Sequence, residues 1–334
     1  MNEWLERRLV CPRDKEKLVF ADSKDKKLIC PQNHVYPIVA DIPIMLVDDV
    51  ERTHEYITRT LEKVADLESE KKEPENPGKQ INEVDEFVQS EIPYTSGNLY
   101  IPIQNKLTRY PIPEIRLPEG NGERLLDVGC NWGRWSIAAA RKNYQPVGID
   151  PSLDAVLAAR RVSRQLGAET NFVVGDARFL PFAADAFDVV FSYGVFQHFS
   201  KENVVISLDE IVRVLKREGK TLFQMPNKLG IRSFYQQWRR GFTEGEGFEV
   251  RYWTPSELMK IFGEKFGETV MTTDCYFGLG IQKTDVDLLP LPYKMVVHSS
   301  DVLRKISQKI APMIKVADSV YLESVNEKKL KIKN

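Results

Sequence analysis

Cysteine and histidine are scarce in this chain, four of each in 334 residues. Four thiols over that length make no disulfide framework, so the expected compartment is a reducing cytoplasm. No apolar run approaches the roughly 18 residues that a membrane span needs. The first residues, Met1 to Arg8, lack the apolar centre of a secretory signal. Charge of one sign is not in excess either: 47 Lys and Arg stand against 48 Asp and Glu, a net of −1. The basic footprint of a nucleic-acid binder is therefore missing, and a nucleic-acid partner is not expected. No internal repeat is visible. The length suggests two or so domains, one of them large enough for a full α/β core.

The most informative stretch is Leu125-Leu-Asp-Val-Gly-Cys-Asn-Trp-Gly-Arg-Trp-Ser136. Arg124 to Val128 reads as a short buried strand with Asp127 near its end. Gly129 and Gly133 permit a tight turn where a ligand can touch backbone. A helix is expected over Trp135 to Lys142, and its first N–H groups have no partners of their own. Such an end favours an anionic group. Strand, glycine turn and helix open the nucleotide-binding half of a doubly wound sheet. Dinucleotide folds carry G-x-G-x-x-G. Here the spacing is G-x-x-x-G, with Asn131 where a middle glycine would fall.

Further acids end further strands. Val147-Gly-Ile-Asp150-Pro151-Ser is a second strand, its acid placed where ribose hydroxyls are usually gripped. Asn171-Phe-Val-Val-Gly-Asp176-Ala177 is a third. Phe187 to Ser192 is a fourth, running into Tyr193-Gly-Val-Phe-Gln-His198. A lone Asp at a strand end is commonly a turn residue. Three in a βαβαβ array ask for another explanation.

In order and content this array resembles the class I S-adenosylmethionine methyltransferases. Their motif I usually reads D-x-G-x-G-x-G. The resemblance implies a Rossmann-like α/β domain with a seven-stranded sheet. It also implies S-adenosylmethionine as cofactor, whose sulfonium tolerates a nearby acid, and an Asp176 that meets the adenine amino group. The cofactor-binding residues it implies are Asp127, Gly129, Asn131, Trp132, Gly133, Asp150, Pro151, Asp176, Ala177, Ser192 and Tyr193. Relatives that methylate exocyclic amines usually carry Asn/Asp-Pro-Pro-Tyr/Phe after the fourth strand. Ser192-Tyr-Gly-Val at that place points away from them. His198, just past this strand, is the candidate general base. A packing or capping His is the other reading. Gln197, Tyr193 and Tyr235 are alternative polar groups near the same mouth.

Residues 1–50 read as a small β module. Cys11-Pro-Arg-Asp14 and Cys30-Pro-Gln-Asn-His34 give C-x2-D-x15-C-x3-H. Cys11, Asp14, Cys30 and His34 would supply four ligands to zinc. The segment Tyr36-Pro-Ile through Ile42-Pro-Ile-Met-Leu46 resembles the zinc-ribbon-like activators of tRNA and protein methyltransferases. The knuckle is similar to the ribbon of certain rRNA guanine methyltransferases. Those families have Cys where Asp14 stands. Two readings stay open: a zinc site, or a ribbon that has lost its metal and stands on its apolar strands.

Residues 51–118 read as a helical linker and cap. Residues 51–72 form a charged helix, 73–79 a break, and eleven acids against six bases over 51–86 suggest a solvated face. Tyr94, Tyr100, Arg109 and Tyr110 are candidates to line the cofactor pocket. Residues 119–334 complete the domain. They include an aromatic, basic helix over Lys228 to Arg240, a strand-like Phe248 to Trp253 and a capped helix from Thr254. The sixth strand is expected from Thr269 to Phe277, and an antiparallel seventh over Ser319 to Val325. An insertion near 280–317 places Leu303, Ile306, Ile310 and Met313 at helical spacing, with five cations between 294 and 315. It fits a membrane surface or core against a neighbouring helix. The lysines after Glu327 read as a solvated tail.

The expected activity is methyl transfer to a small-molecule or lipid-like acceptor, on O or C. Peripheral membrane contact is one partner the insertion allows. A ring-nitrogen RNA methyltransferase and a non-catalytic partner of another methyltransferase are the alternatives. The sequence does not specify the oligomeric state.

Overall fold

A computed structural model describes residues 1–20, 27–52, 54–70 and 83–327. The break expected at 73–79, the end of the charged helix at 71–72 and the lysine tail lie outside the described residues.

The chain begins with α1 (Glu3–Arg8) and a small sheet of β1 (Val19–Phe20), β2 (Lys27–Ile29), β3 (Val35–Val39) and β4 (Ile42–Pro43), antiparallel in chain order. Two helices follow, α2 (Glu55–Glu70) and α3 (Glu86–Ser96). The larger unit then alternates. It runs β5 (Arg124–Val128), α4 (Arg134–Ala140), β6 (Gln145–Asp150), α5 (Leu153–Gln165), β7 (Asn171–Val174), β8 (Phe187–Ser192), α6 (Lys201–Val214) and β9 (Leu215–Pro226). It closes with α7 (Ile231–Arg239), α8 (Pro255–Phe266), β10 (Thr269–Cys275), α9 (Leu291–Ser307) and β11 (Ser319–Val325).

The seven-stranded sheet has the order β10-β11-β9-β8-β5-β6-β7. Strands β5 to β9 are parallel, and β11 is antiparallel to both β9 and β10. The chain winds outward from β5 through β6 to β7, then returns to place β8 on the other side of β5. The reversal opens a crevice at the carboxyl ends of β5 and β8, where such sheets bind ligands.

The expected strands at 124–128, 187–192 and 319–325 form with those bounds. The expected cap at Thr254 forms as a capping box: its side chain accepts from the Glu257 N–H, and the Glu257 carboxylate accepts from the Thr254 N–H. Phe248 to Trp253 is not a strand. Only Trp253 pairs, in a single bridge to Asn227, because Arg251 turns its N–H to the Gln197 carbonyl instead.

Residues alternate across the sheet. Leu126, Val128, Val147, Ile149 and Val173 face α6, α8 and the N-terminal module in one core. Leu125, Val189 and Phe191 pack beneath α4 on the opposite face. The module is therefore joined to the larger unit. Leu5, Leu9, Leu28 and Met45 belong to that first core. Ile44 bridges Val174, and the Met45 N–H donates to the Val174 carbonyl at 2.7 Å, extending the sheet past β7.

Candidate active site

A cavity of about 1160 Å³ lies at the carboxyl ends of β5, β6, β7 and β8. It lies slightly above the upper end of the roughly 300–1,000 Å³ typical of small-molecule sites. The β5–α4 loop forms its floor. Gly129 has φ +74°, and a Cβ there would come within 2.2 Å of Val195. Asn131 takes a left-handed φ of 46°, which Asn tolerates better than most residues. Its side-chain oxygen accepts from the Trp132 N–H at 2.8 Å, and its own N–H donates to Asp150 Oδ2 at 3.0 Å. The absent middle glycine is thus replaced by a residue that braces the loop against the second acid.

Two acids stand on the wall. Asp150 accepts from the N–H groups of Asn131 and Ser152, and each oxygen keeps lone-pair capacity for a hydroxyl donor. Burial pushes its carboxyl up to about 6. Asp176 is gripped by Arg178: Nε lies 3.1 and 3.2 Å from its two oxygens and Nη2 2.7 Å from Oδ2. Arg178 also donates to the Glu51 carbonyl. This fork was not anticipated from the sequence, although the i, i+2 spacing of Asp and Arg was available to suggest it.

The structure separates the expected cofactor residues into two groups. Gly129, Asn131, Asp150, Pro151, Asp176, Ala177 and Tyr193 line the cavity. Asp127, Trp132, Gly133 and Ser192 lie behind its wall. Asp127 shares the Leu125 side of β5 and accepts from Ser136 Oγ at 2.6 Å under α4. Burial raises its carboxyl to about 7. Trp132 is fully buried and donates to Thr95 Oγ1. Gly133 caps α4 at φ +79°, against Ala159 and Phe172. Ser192 Oγ donates to the Val128 carbonyl, stitching β8 to β5. Of the cap residues, Tyr94 reaches the cavity. The Tyr100 hydroxyl instead donates to buried Asp285, Arg109 donates to the Thr284 carbonyl, and the Tyr110 hydroxyl to Gln165.

Beyond the acids the wall becomes aromatic. The Tyr193 hydroxyl donates to Asp274 Oδ2 at 2.8 Å and accepts from Gln282, so its ring rather than its oxygen faces the cavity. His198 Nδ1 must carry its proton, because it lies 2.6 Å from the Phe248 carbonyl. Nε2 then accepts from Gln197 at 3.1 Å. Burial lowers the imidazole to about 4. His54, which the sequence reading passed over, also lines the cavity. Its Nδ1 accepts from the Tyr56 N–H, and its buried Nε2 has no partner among the described residues. Tyr235 stays outside, half-exposed on α7.

In the N-terminal module Cys11, Asp14, Cys30 and His34 come together, with all four donor atoms within 4.8 Å of one another. His34 Nδ1 lies 3.4 Å from Cys11 Sγ, 3.3 Å from Cys30 Sγ and 2.9 Å from Asp14 Oδ2. Ligands on a tetrahedral zinc stand about 3.3–3.8 Å apart, so the donor set fits that ion and both thiol–imidazole spacings lie in its range. The Tyr36 hydroxyl, 3.2 Å from Cys11 Sγ, supplies an outer hydrogen bond.

Residues 125–219 match the sequence model of a family described as a methyltransferase domain. The chain is 32% identical over 100 residues to an uncharacterized methyltransferase, YcgJ, of Bacillus subtilis, covering 30% of this chain and 39% of that protein. It is 34% identical over 77 residues to a ubiquinone biosynthesis O-methyltransferase of Azorhizobium caulinodans, covering 23% and 30%. It is 30% identical over 139 residues to a malonyl-[acyl-carrier protein] O-methyltransferase of Methylococcus capsulatus, covering 40% and 50%. The chain thus spans half or less of the length of these relatives.

Proposed function

We propose that the whole chain transfers a methyl group from S-adenosylmethionine to an oxygen or carbon of a small, lipid-like acceptor. One observation carries this reading: a single cavity runs from the acids of β6 and β7 to an aromatic chamber at Tyr193, His198 and Phe248. Asp150 would hold the ribose hydroxyls, and the Gly129–Asn131 loop the amino-acid end. The bound cofactor supplies an electrophilic methyl on a sulfonium. The protein's task is then alignment and exclusion of water. Tyr193 and Trp135, with ring centroids 4.6 Å apart, form a wall that does both. His198 Nε2 would accept a substrate proton in place of the hydrogen bond it takes from Gln197. The O-methyltransferases among the relatives support oxygen as the target.

The cluster of Cys11, Asp14, Cys30 and His34 would hold a structural zinc ion that pins the two knuckles together. Among the described residues no helix is long and apolar enough to cross a membrane, and the four thiols form no disulfide. Both support a cytoplasmic protein.

Calorimetric titration with S-adenosylmethionine, with NAD as control and Asp150→Ala as variant, tests the cofactor reading. Saturable binding weakened by the variant is expected. A folded, cofactor-free protein that gives no heat would overturn it. Elemental analysis of the purified chain, with Cys30→Ser beside it, tests the zinc. One equivalent is expected in the wild type, and metal-free wild type that melts no differently with added zinc would sink that part.

A further inference from the structure

Helix α7 is built inside out. Its buried face is polar: Ser233 is 3% exposed and Gln237 5%. The Ser233 N–H donates to Asp318 Oδ1 at 2.7 Å, and Gln237 Nε2 donates to the Lys228 and Ser233 carbonyls. Its outer face is apolar. Ile231, Phe234, Tyr235 and Trp238 recur at helical spacing and are 52%, 54%, 50% and 61% exposed. Phe242 continues the stripe, its ring 5.5 Å from that of Phe234. Single exposed apolar residues need no explanation, but a continuous aromatic face does.

Helix α9 buries Val297 in the core but also turns apolar residues outward. Ser300 and Ser307 face inward, bonded to the Tyr276 N–H and to Thr273 Oγ1. Leu291, Met295, Val302 and Ile306 face outward. The two helices flank one opening. Arg232 and Arg239 of α7 and Tyr293 and Val296 of α9 line the same cavity.

Charge identifies what would cover this face. From Lys228 to Thr243 there are three arginines and no acid, and among the described residues Arg240 alone of the three is ion-paired, with Glu249. On α9 the one acid, Asp301, is engaged by Lys283, Arg304 and Lys305. A second copy docked on the same face would set arginine against arginine. An anionic lipid surface would satisfy both halves of the pattern, since aromatic rings enter the interface while arginines meet headgroups.

We infer that the outer faces of α7 and α9 dock on an anionic lipid bilayer, with the cavity opening onto it. Docking stands on these two helices alone. Entry of a lipid-like acceptor from the bilayer rests on the methyl-transfer reading.

The test is flotation of the full chain with phosphatidylcholine vesicles, with and without phosphatidylglycerol, beside calorimetry with S-adenosylmethionine. The wild type should float with the anionic vesicles and release at high salt. The double variant Phe234→Ser/Trp238→Ser, outside the cavity wall, should lose roughly tenfold in vesicle affinity while keeping its cofactor heat. Arg232→Glu/Arg239→Glu should lose at least as much. Protein that binds cofactor but never floats would overturn the docking surface and leave the enzyme reading intact. So would flotation indifferent to both variants, or a dimer in sedimentation velocity that Trp238→Ser breaks without any vesicle binding. Flotation without cofactor binding would uphold the docking surface and sink the enzyme reading.

Discussion

His198 lies flat on Phe248, with ring centroids 3.7 Å apart and planes within 8° of parallel. The same residue's carbonyl takes the Nδ1 proton. Phe248 also meets His54 edge-on at 4.5 Å. One aromatic residue therefore orients two imidazoles of the cavity wall. Burial leaves His198 neutral down to about pH 4. Its Nε2 lone pair accepts from the Gln197 amide, so it meets a substrate proton only when that amide turns aside. His198→Ala should lower kcat by about 10²-fold and leave cofactor affinity unchanged. The wild-type kcat profile should show no inflection near the ordinary histidine value of about 6.5. Steady-state kinetics across pH, with an O-acceptor once found, checks both.

Asp150, proposed to hold the ribose hydroxyls, would give cofactor binding a pH dependence. A ribose hydroxyl donates to an ionised carboxylate. Burial holds this carboxyl up to about 6, so the charged form dominates at neutral pH and disappears as pH falls through 6. Affinity for S-adenosylmethionine should drop about tenfold from pH about 7 to about 5, one factor of ten per unit below the pKa. Calorimetry at the two pH values measures it. Asp150→Asn should abolish the dependence along with most of the affinity.

The Asp176–Arg178 fork is buried on both sides, each side chain 5% exposed. Removing one partner strands the other charge. Asp176→Ala should cost about 3–5 kcal/mol of folding stability, whereas a double change of Asp176→Leu with Arg178→Met should recover much of it. Urea unfolding midpoints of the two variants decide. Equal losses in both would show that the pair's charges are not what holds the loop.

Asp127 works against stability at neutral pH. Its folded carboxyl titrates at about 7, while an unfolded Asp titrates near 3.9. Between those values the folded state holds a proton that the unfolded state has released. Stability contributed by this group is therefore present at acid pH and lost as pH rises through 7. Asp127→Asn, which can still accept from Ser136, should stabilise the chain by about 1–3 kcal/mol at pH 8. It should have little effect at about pH 3, below the unfolded value of about 3.9. Thermal melts at both pH values read the difference.

What the sequence made legible follows a physical division. The strand-turn-helix at 124–136 and the acids after β6 and β7 could be read because local pattern dictates them. Side-chain direction could not always be read. Asp127 sits one residue before the strand's last, and the period of two turns it beneath α4 instead of into the crevice. Tyr100 and Tyr110 look like pocket aromatics, but Asp285 and Gln165, distant in sequence, draw their hydroxyls into buried bonds. The aromatic content of α7 was plain in the sequence. Its outward direction was not, because Asp318, 85 residues on from Ser233, anchors the polar side.

The pairing of Ile44 and Met45 with Val174 has a consequence for how this protein survives in solution. Strand β7 is an outermost strand of the large sheet, and an uncovered outermost strand recruits other chains. The first fifty residues hold that border shut with their own backbone. A shortened protein lacking them would carry an open β7 border beside a stripped apolar surface, and it would precipitate before any assay could be made. The amino-terminal module thus covers the outer edge of the large sheet with its own backbone.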